Sequence, residues 1–214
     1  LGCSLDGRTA MASGESQWIT GAVSRQDVQR QRAASSVIIT GIGTVLADDC
    51  SLTVRPDALG FSGDELARAL HRPPTRVVLD SKGRLPNGAK VLSANAPTLV
   101  ITATGEKPAM PVPHRTATHN GEGLDLQDIL KGIGSDGANE ILIESGPALA
   151  AAFLKAGLVD ELLIYQAPTL LGSSARPLAD LAFSALKDGI QLAYQEVSPM
   201  GSDLRIIAAV LRGN

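Results

Sequence analysis

Apolar residues enter this chain in short unbroken runs set apart by polar stretches. Val37-Ile38-Ile39, Val77-Val78-Leu79, Leu99-Val100-Ile101 and Ile141-Leu142-Ile143 are too short for helices, and their lack of alternation predicts strands buried on both faces. Between them the period changes. Leu126, Ile129, Leu130 and Ile133 keep helical spacing. Ser24-Arg25-Gln26-Asp27 has the form of a capping box with Asp in place of Glu, which predicts a helix through Ala34 with Val28 as its inward anchor. A shorter helix is expected over residues 63–70. Pro147 suits the first turn of another that runs to residue 154, apolar nearly all round and therefore buried. Residues 160–166 read as a further strand, and residues 190–197 and 203–211 as two strands joined by 198–202. Residues 1–5 resemble the tail of a strand, with a turn at Ser4-Leu5-Asp6-Gly7-Arg8 and a small, polar run from there to Gln17. That abrupt start gives the expectation that residues or a domain precede Leu1. The segment after residue 103, rich in Pro, Gly and His, carries no clear period. The alternation predicts an α/β fold in one domain, residues 1–214. Its central sheet is mixed but mostly parallel and flanked by helices, with a C-terminal antiparallel hairpin.

Composition narrows the function. With 44% apolar and 19% charged residues, this chain of 214 residues has a globular composition and room for a substantial core. A net charge of −3 argues against nucleic acid or a membrane surface as partner. A phosphate ligand would have to be held locally, by a few arginines, amides and hydroxyls. No apolar run reaches the roughly 18 residues of a membrane span. Cys3 and Cys50 are too few for a disulfide framework, so a reducing cytoplasm is expected. His71, His114 and His119 are scattered and no C-x-x-C pair occurs, so no metal site is expected. There is also no G-x-S-x-G elbow and no P-loop.

Three stretches carry candidate chemistry. Residues 40–55, TGIGTVLADDCSLTVR, follow a buried strand with two glycines and hydroxyls, a place to set a nucleotide or an ordinary strand-to-loop turn. They are not a dinucleotide fingerprint, since Leu46 stands where the third glycine would be. Ser81-Lys82-Gly83-Arg84 closes the second strand and is either a reader of the 2′-phosphate of NADP or a solvated basic turn. Glu144-Ser145-Gly146-Pro147 joins a strand to a helix whose N-terminus suits a pyrophosphate, or is a compact corner without a ligand. Glu144 is then either a partner of the helix start or a substrate contact. Two further residues remain open. Arg32 shares a helix face with Val28 and must meet an anion or pair with an acid at the rim. Trp18, the only tryptophan, packs over something flat or plugs the edge of the core.

Taken together these motifs resemble a known family. SLDGRTAMASGESQWIT, the helix ending near Arg32, TGIGTVLADDCSLTVR, VVLDS and ESGPALAAAFLKAGLVDELLIY resemble the reductase domain of the bifunctional riboflavin-biosynthesis deaminase/reductase. The resemblance implies a dihydrofolate-reductase-like fold, NADPH as hydride donor, and 5-amino-6-(5-phosphoribosylamino)uracil as substrate, reduced from ribosyl to ribityl. On the family's pattern Gly2, Trp18, Thr44, Asp48, Ser81 and the turn Gly146, Pro147, Ala148, Leu149, Ala150, Ala151 and Ala152 contact the cofactor. Ser16, Arg32, Leu52, Arg55 and Glu144 contact the substrate, the two arginines taking its phosphate. Glu144 is the candidate for orienting substrate or moving protons, and Asp48 for orienting the cofactor. The family further implies a homodimer and an upstream deaminase domain, which this sequence does not contain. Two departures stand out: the family's lysine before the position of Leu1 is not in this sequence, and Cys50 replaces a frequent proline. The alternatives are another dihydrofolate-reductase-like pterin or pyrimidine reductase, and a non-catalytic nucleotide-binding domain.

Overall fold

The computed structural model describes residues 1–108, 111–119, 121 and 123–212. The chain falls into two compact units, residues 26–145 and residues 1–25 with 146–214.

In residues 26–145 the apolar runs become a parallel sheet. Strands β3 (Val37–Gly41), β4 (Thr75–Leu79), β5 (Thr98–Ala103), β6 (His114–Ala117) and β7 (Ile141–Ile143) lie in the order β6-β5-β4-β3-β7. Every pairing among them is parallel. Ile38, Ile39, Val77, Val78 and Val100 are sealed from solvent, as central strands covered on both faces should be. β7, at the sheet edge, is only half-buried, against the expectation of a buried strand. One face carries a cluster of Ile38, Val78 and Val100, on which Ile42, Val45, Leu52, Leu85 and Val91 pack. Helix α2 (Ile42–Asp48) follows β3 without a loop, where the sequence reading had seen only a strand end and an apolar patch. Its buried residues, Ile42 and Val45, supply a single helical interval, too little to register as a period. α3 (Gly63–Leu70) and α4 (Leu126–Ser135) lie where expected, and Asp125 caps α4 by accepting the Asp128 N–H at 3.0 Å.

The other unit holds the antiparallel finish. Strands β1 (Gly2–Ser4), β8 (Glu161–Ala167), β10 (Leu192–Met200) and β11 (Asp203–Val210) form a sheet in the order β1-β8-β11-β10. β1 runs parallel to β8, and the other two pairings are antiparallel. Short strands β2 (Arg8–Ala10) and β9 (Arg176–Pro177) pair separately, and neither was expected from the sequence. Helix α5 (Pro147–Lys155) buries Ala150, Ala151, Phe153 and Leu154. The mixed α/β class, the flanking helices and the C-terminal hairpin agree with the sequence reading, although the hairpin belongs with β1 and β8 to a second sheet rather than to the parallel one.

Helix α1 (Ala22–Ala34) begins earlier than the capping-box reading allows. Ser24 lies inside it, and its hydroxyl donates to Asp203 Oδ2 at 2.6 Å, as the Gly21 N–H does at 2.7 Å. A carboxylate distant in sequence thus serves the first turn. The helix also buries Ser24, Asp27 and Gln29 more deeply than the expected anchor Val28.

Candidate functional site

In an all-parallel sheet the carboxyl ends of the strands share one edge, where ligands of α/β proteins are held. Glu144 directly follows β7, and its N–H donates to the Ile39 carbonyl at 2.9 Å. Arg32, from the last turn of α1, meets its carboxylate with both prongs: Nε donates to Oε1 and Nη2 to Oε2, each at 2.7 Å. The side chains are 11% and 23% exposed, so the pair is largely shielded while Glu144 keeps access to solvent. Burial works against the charge on Arg32. The adjoining Glu144 nonetheless holds its pKa above the ordinary arginine value. A two-pronged pair of this kind fixes the plane of the carboxylate as well as its charge. Of the two open readings of Arg32, pairing with an acid is the one this geometry displays.

The remaining guanidinium nitrogen, Arg32 Nη1, donates to the Thr53 carbonyl at 3.1 Å, which brings in the loop after α2. Two residues of that loop adopt left-handed backbone, Asp49 at φ 43° and Leu52 at φ 52°. For asparagine or aspartate this is tolerable; for leucine it is uncommon and needs support from its surroundings. Leu52 is 3% exposed with its side chain in the core cluster, so contact with a ligand would fall to its backbone. Arg55 is exposed; its N–H donates to Gln29 Oε1 at 2.9 Å, and its guanidinium has no partner among the described residues. Asp48, at the end of α2, is exposed and Thr44 half-buried. Burial, followed by the charges of Glu144 and Asp48, pushes the Cys50 thiol up to about 11.

Ser81 lies beyond β4, half-buried, its carbonyl accepting from the Ala103 N–H at 3.2 Å. At Gly83, φ is 63° and a Cβ would meet the Lys107 carbonyl oxygen at 2.2 Å, so only glycine fits that turn. Lys82 and Arg84 are exposed on either side of it. The loop therefore presents a hydroxyl and two cations on a backbone of fixed shape.

In the other unit, Ser16 and Trp18 line an open groove of about 420 Å³ together with Met11, Glu15, Thr169 and Leu171. Trp18 is 66% exposed, which excludes the reading of a core plug, and the Arg25 guanidinium lies 4.5 Å from its ring centre. Gly2 is exposed in β1, and a Cβ there would come within 3.3 Å of the Thr20 side chain. Gly146 is the extended N-cap of α5, with no side chain capping it and Pro147 next, while Ala148 and Leu149 keep solvent access. Ala150 and Ala151 are buried and Ala152 half-buried, so a ligand at this end would meet the first turn only.

Residues 1–206 match the family model described as RibD C-terminal domain. The chain belongs to that family. It is 44% identical over 213 residues to the riboflavin biosynthesis protein RibD of Escherichia coli K12, covering 95% of this chain and 57% of that protein. It is 32% identical to the 5-amino-6-(5-phosphoribosylamino)uracil reductase of Buchnera aphidicola (subspecies Acyrthosiphon pisum, strain APS), over 92% of this chain and 97% of that protein. A solved structure of Acinetobacter baumannii RibD superposes with a TM-score of 0.84 at 38% identity, over 99% of this chain and 57% of the other. The chain thus spans little more than half the length of the RibD proteins it matches.

Two residues that shape the site escaped the sequence reading. Gln29 is 6% exposed and holds the Arg55 backbone; Arg76 is fully buried and reaches the loop at Ser51. A polar residue at the head of a strongly apolar run was the only available signal for Arg76, and for Gln29 the mostly polar α1 offered none.

Proposed function

We propose that the chain is an NADPH-dependent reductase that converts the ribosyl group of 5-amino-6-(5-phosphoribosylamino)uracil to the ribityl group, a step of riboflavin biosynthesis. The observation that carries this reading is the Glu144 carboxylate, fixed by both prongs of Arg32 at the end of β7. A carboxylate so held can orient a polar substrate or move a proton while its own geometry stays constant. When bound, NADPH supplies the hydride, and the protein contributes position and electrostatics. Two features, each within its own unit, support that cofactor: the N-terminus of α5 begins at Gly146-Pro147 and suits a pyrophosphate, and Lys82 and Arg84 are exposed beside Ser81 and suit a 2′-phosphate. Thr44, Asp48, Gly2 and Trp18 complete its assigned contacts. On the substrate side Arg55 is the principal phosphate cation, since Arg32 is engaged by Glu144 and Thr53. Ser16 and the Leu52 backbone are assigned to the remainder of the substrate.

Titration with NADPH and with NADH, followed through the single tryptophan, tests the cofactor assignment. Saturable quenching by NADPH and a much weaker response to NADH are expected. No response to either would reject it. Turnover assays then compare the phosphorylated substrate with its dephosphorylated form. Reduction of the phosphorylated substrate with clear preference is expected; binding of NADPH without turnover of either would favour a non-catalytic nucleotide-binding domain. Activity on another pterin or pyrimidine alone would favour a different reductase of this fold.

A homodimer is part of the proposal. Leu192, Tyr194, Val197 and Leu204 on the hairpin β10–β11 are 41%, 75%, 53% and 39% exposed. Tyr194 and Leu192 share a face with Val197 across the register shift between Tyr194 and Glu196, and Leu204 lies next to Pro199 on the neighbouring strand. An apolar face on an edge strand suits a second copy of the same chain. We also assign the chain to the cytoplasm and place a deaminase domain upstream of it in a longer protein. The first is supported by Cys3 and Cys50 both being free thiols, the second by the partial coverage of the RibD relatives. No described helix is long and apolar enough to cross a membrane.

A further inference from the structure

The loop after α2 has no regular secondary structure between residue 49 and the single helical turn Pro56–Ala58, yet it is fastened at every second residue. Asp49 Oδ1 accepts the Lys90 N–H at 2.8 Å, and Asp49 Oδ2 lies 3.2 Å from Lys90 Nζ. The Ser51 carbonyl accepts from Arg76 Nη1 at 3.1 Å. The Thr53 carbonyl accepts from Arg32, and the Arg55 N–H donates to Gln29. The carbonyls on either side of left-handed Leu52 are therefore each taken by an arginine.

Arg76 is the unusual member. It is the largest fully buried side chain described, at 0% exposure, and lies in β4 opposite Ile38, where a central strand calls for an apolar residue. Burial lowers its pKa from the ordinary arginine value, and no carboxylate pairs with it among the described residues. A buried guanidinium is costly unless its donors are used. Arg76 Nη1 also donates to Ser93 Oγ at 3.1 Å, and Nη2 donates to the Ser93 carbonyl at 2.6 Å and to the Ala96 carbonyl. Ser93 ends the helical turn Lys90–Leu92, the turn whose first residue holds Asp49. One buried cation thus ties the 49–55 loop and the 90–96 turn to the centre of the sheet.

We propose that Arg76 is a positioning residue for substrate binding: by holding the Ser51 carbonyl it sets the backbone of Leu52 and, through it, the placement of Arg55 toward the substrate phosphate. This rests on the reductase reading. A methionine at position 76 would fill most of the space but leave Ser51, Ser93 and Ala96 without their donors. The loop would then be held at Asp49, Thr53 and Arg55 only, with Leu52 free to leave its left-handed conformation.

The test compares wild type, Arg76→Met, Arg76→Lys and Ser93→Ala in the full chain. Activity is read as KM for the phosphorylated and the dephosphorylated substrate, with the dissociation constant for NADPH measured alongside. Arg76→Met is expected to raise KM for the phosphorylated substrate roughly tenfold or more. KM for the dephosphorylated form and NADPH binding should change little. Arg76→Lys should recover part of the loss, and Ser93→Ala should show a smaller loss of the same kind. A merely structural Arg76 would lower the amount of folded enzyme and leave the ratio of the two KM values untouched, which overturns the proposal. Hydrogen exchange supplies a readout independent of activity. The Arg55 amide should exchange roughly tenfold faster in Arg76→Met while the amides of β3 and β5 keep their protection. Failure of wild type to turn over either substrate would reject the reductase reading, and an Arg55 amide unchanged in all three variants would reject the positioning role by itself. If Arg76→Met does not fold, Arg76→Lys and Ser93→Ala carry both measurements.

Discussion

In residues 26–145 two of the candidate substrate residues, Leu52 and Arg55, sit on a loop fastened from beneath by the buried side chains of Arg76 and Gln29. In residues 1–25 and 146–214 the candidate Trp18 is 66% open to solvent, and the hairpin strand β10 leaves Tyr194 75% open. The first region orders its loop before any ligand arrives, at the cost of burying Arg76 and Gln29. The second leaves apolar area in water, which a cofactor or a second copy can cover. Preorganisation lowers the entropy lost on binding, whereas uncovered apolar surface supplies driving force when it is buried. Under the proposed function, fixing a sugar phosphate and accommodating a large cofactor would draw on both.

The sharpest way to break this contrast is at Leu52. Leu52→Ala removes a side chain from the core cluster and should cost about 3 kcal/mol in urea unfolding. At an ordinary position glycine would be worse still than alanine. With φ at 52°, Leu52→Gly should instead be as stable as Leu52→Ala or more so. Glycine measurably below alanine would mean that the left-handed backbone is not retained in solution.

Glu144→Gln comes next. It keeps one acceptor for Arg32 and removes the charge, and kcat should fall about a hundredfold with NADPH affinity unchanged. Unaltered kcat would remove Glu144 from the chemistry.

In the second region, Val197→Asp places a charge on the exposed hairpin face. Sedimentation at micromolar concentration should shift from dimer to monomer, while the thermal unfolding of the monomer stays within a few degrees of wild type once compared at equal concentration. A monomeric wild type would show that this face is covered by something other than a second copy.

The smallest effect concerns Asp6, which accepts from the Ser4 hydroxyl at 2.5 Å and from the N–H groups of Leu171 and Gly172. The Ser4 bond foremost, with those amides, holds its carboxyl down at about 2, against an ordinary value of 3.8. Because the folded pKa is the lower one, its contribution is fully present above pH 3.8 and is lost as pH falls toward 2. Thermal melts of Asp6→Asn and wild type should differ at pH 6 and converge as pH approaches 2; a gap that persists there would mean the loss lies in packing.

Much of this was legible in sequence, for identifiable reasons. The unbroken runs at Ile38, Val78 and Val100 left no choice but buried strands, and the spacing of Leu126, Ile129 and Ile133 none but a helix. The fastening of the site was not legible. α2 is too short to show a period, and the partner of its neighbour Asp49 is Lys90, far along the chain. Asp203 serves the start of α1 across 182 residues, a cap that local motifs cannot reveal. Arg32 and Glu144 were each singled out, but their union across 112 residues requires the sheet to bring β3 and β7 side by side. Side-chain chemistry could nominate them separately; only register joins them.

The pairing of β1 with β8 has a consequence for how the molecule assembles. Gly2 lies opposite Tyr165, and the Leu1 amine reaches the Leu163 carbonyl across 162 residues. Residues 26–145, by contrast, complete all five parallel strands within one continuous segment. Loop closure penalises the distant pairing more, and contacts of long sequence separation form late. During synthesis β1 must therefore wait, its hydrogen-bonding edge unsatisfied, until β8 has been made. The parallel sheet needs no such delay and can close as soon as its own segment has been made.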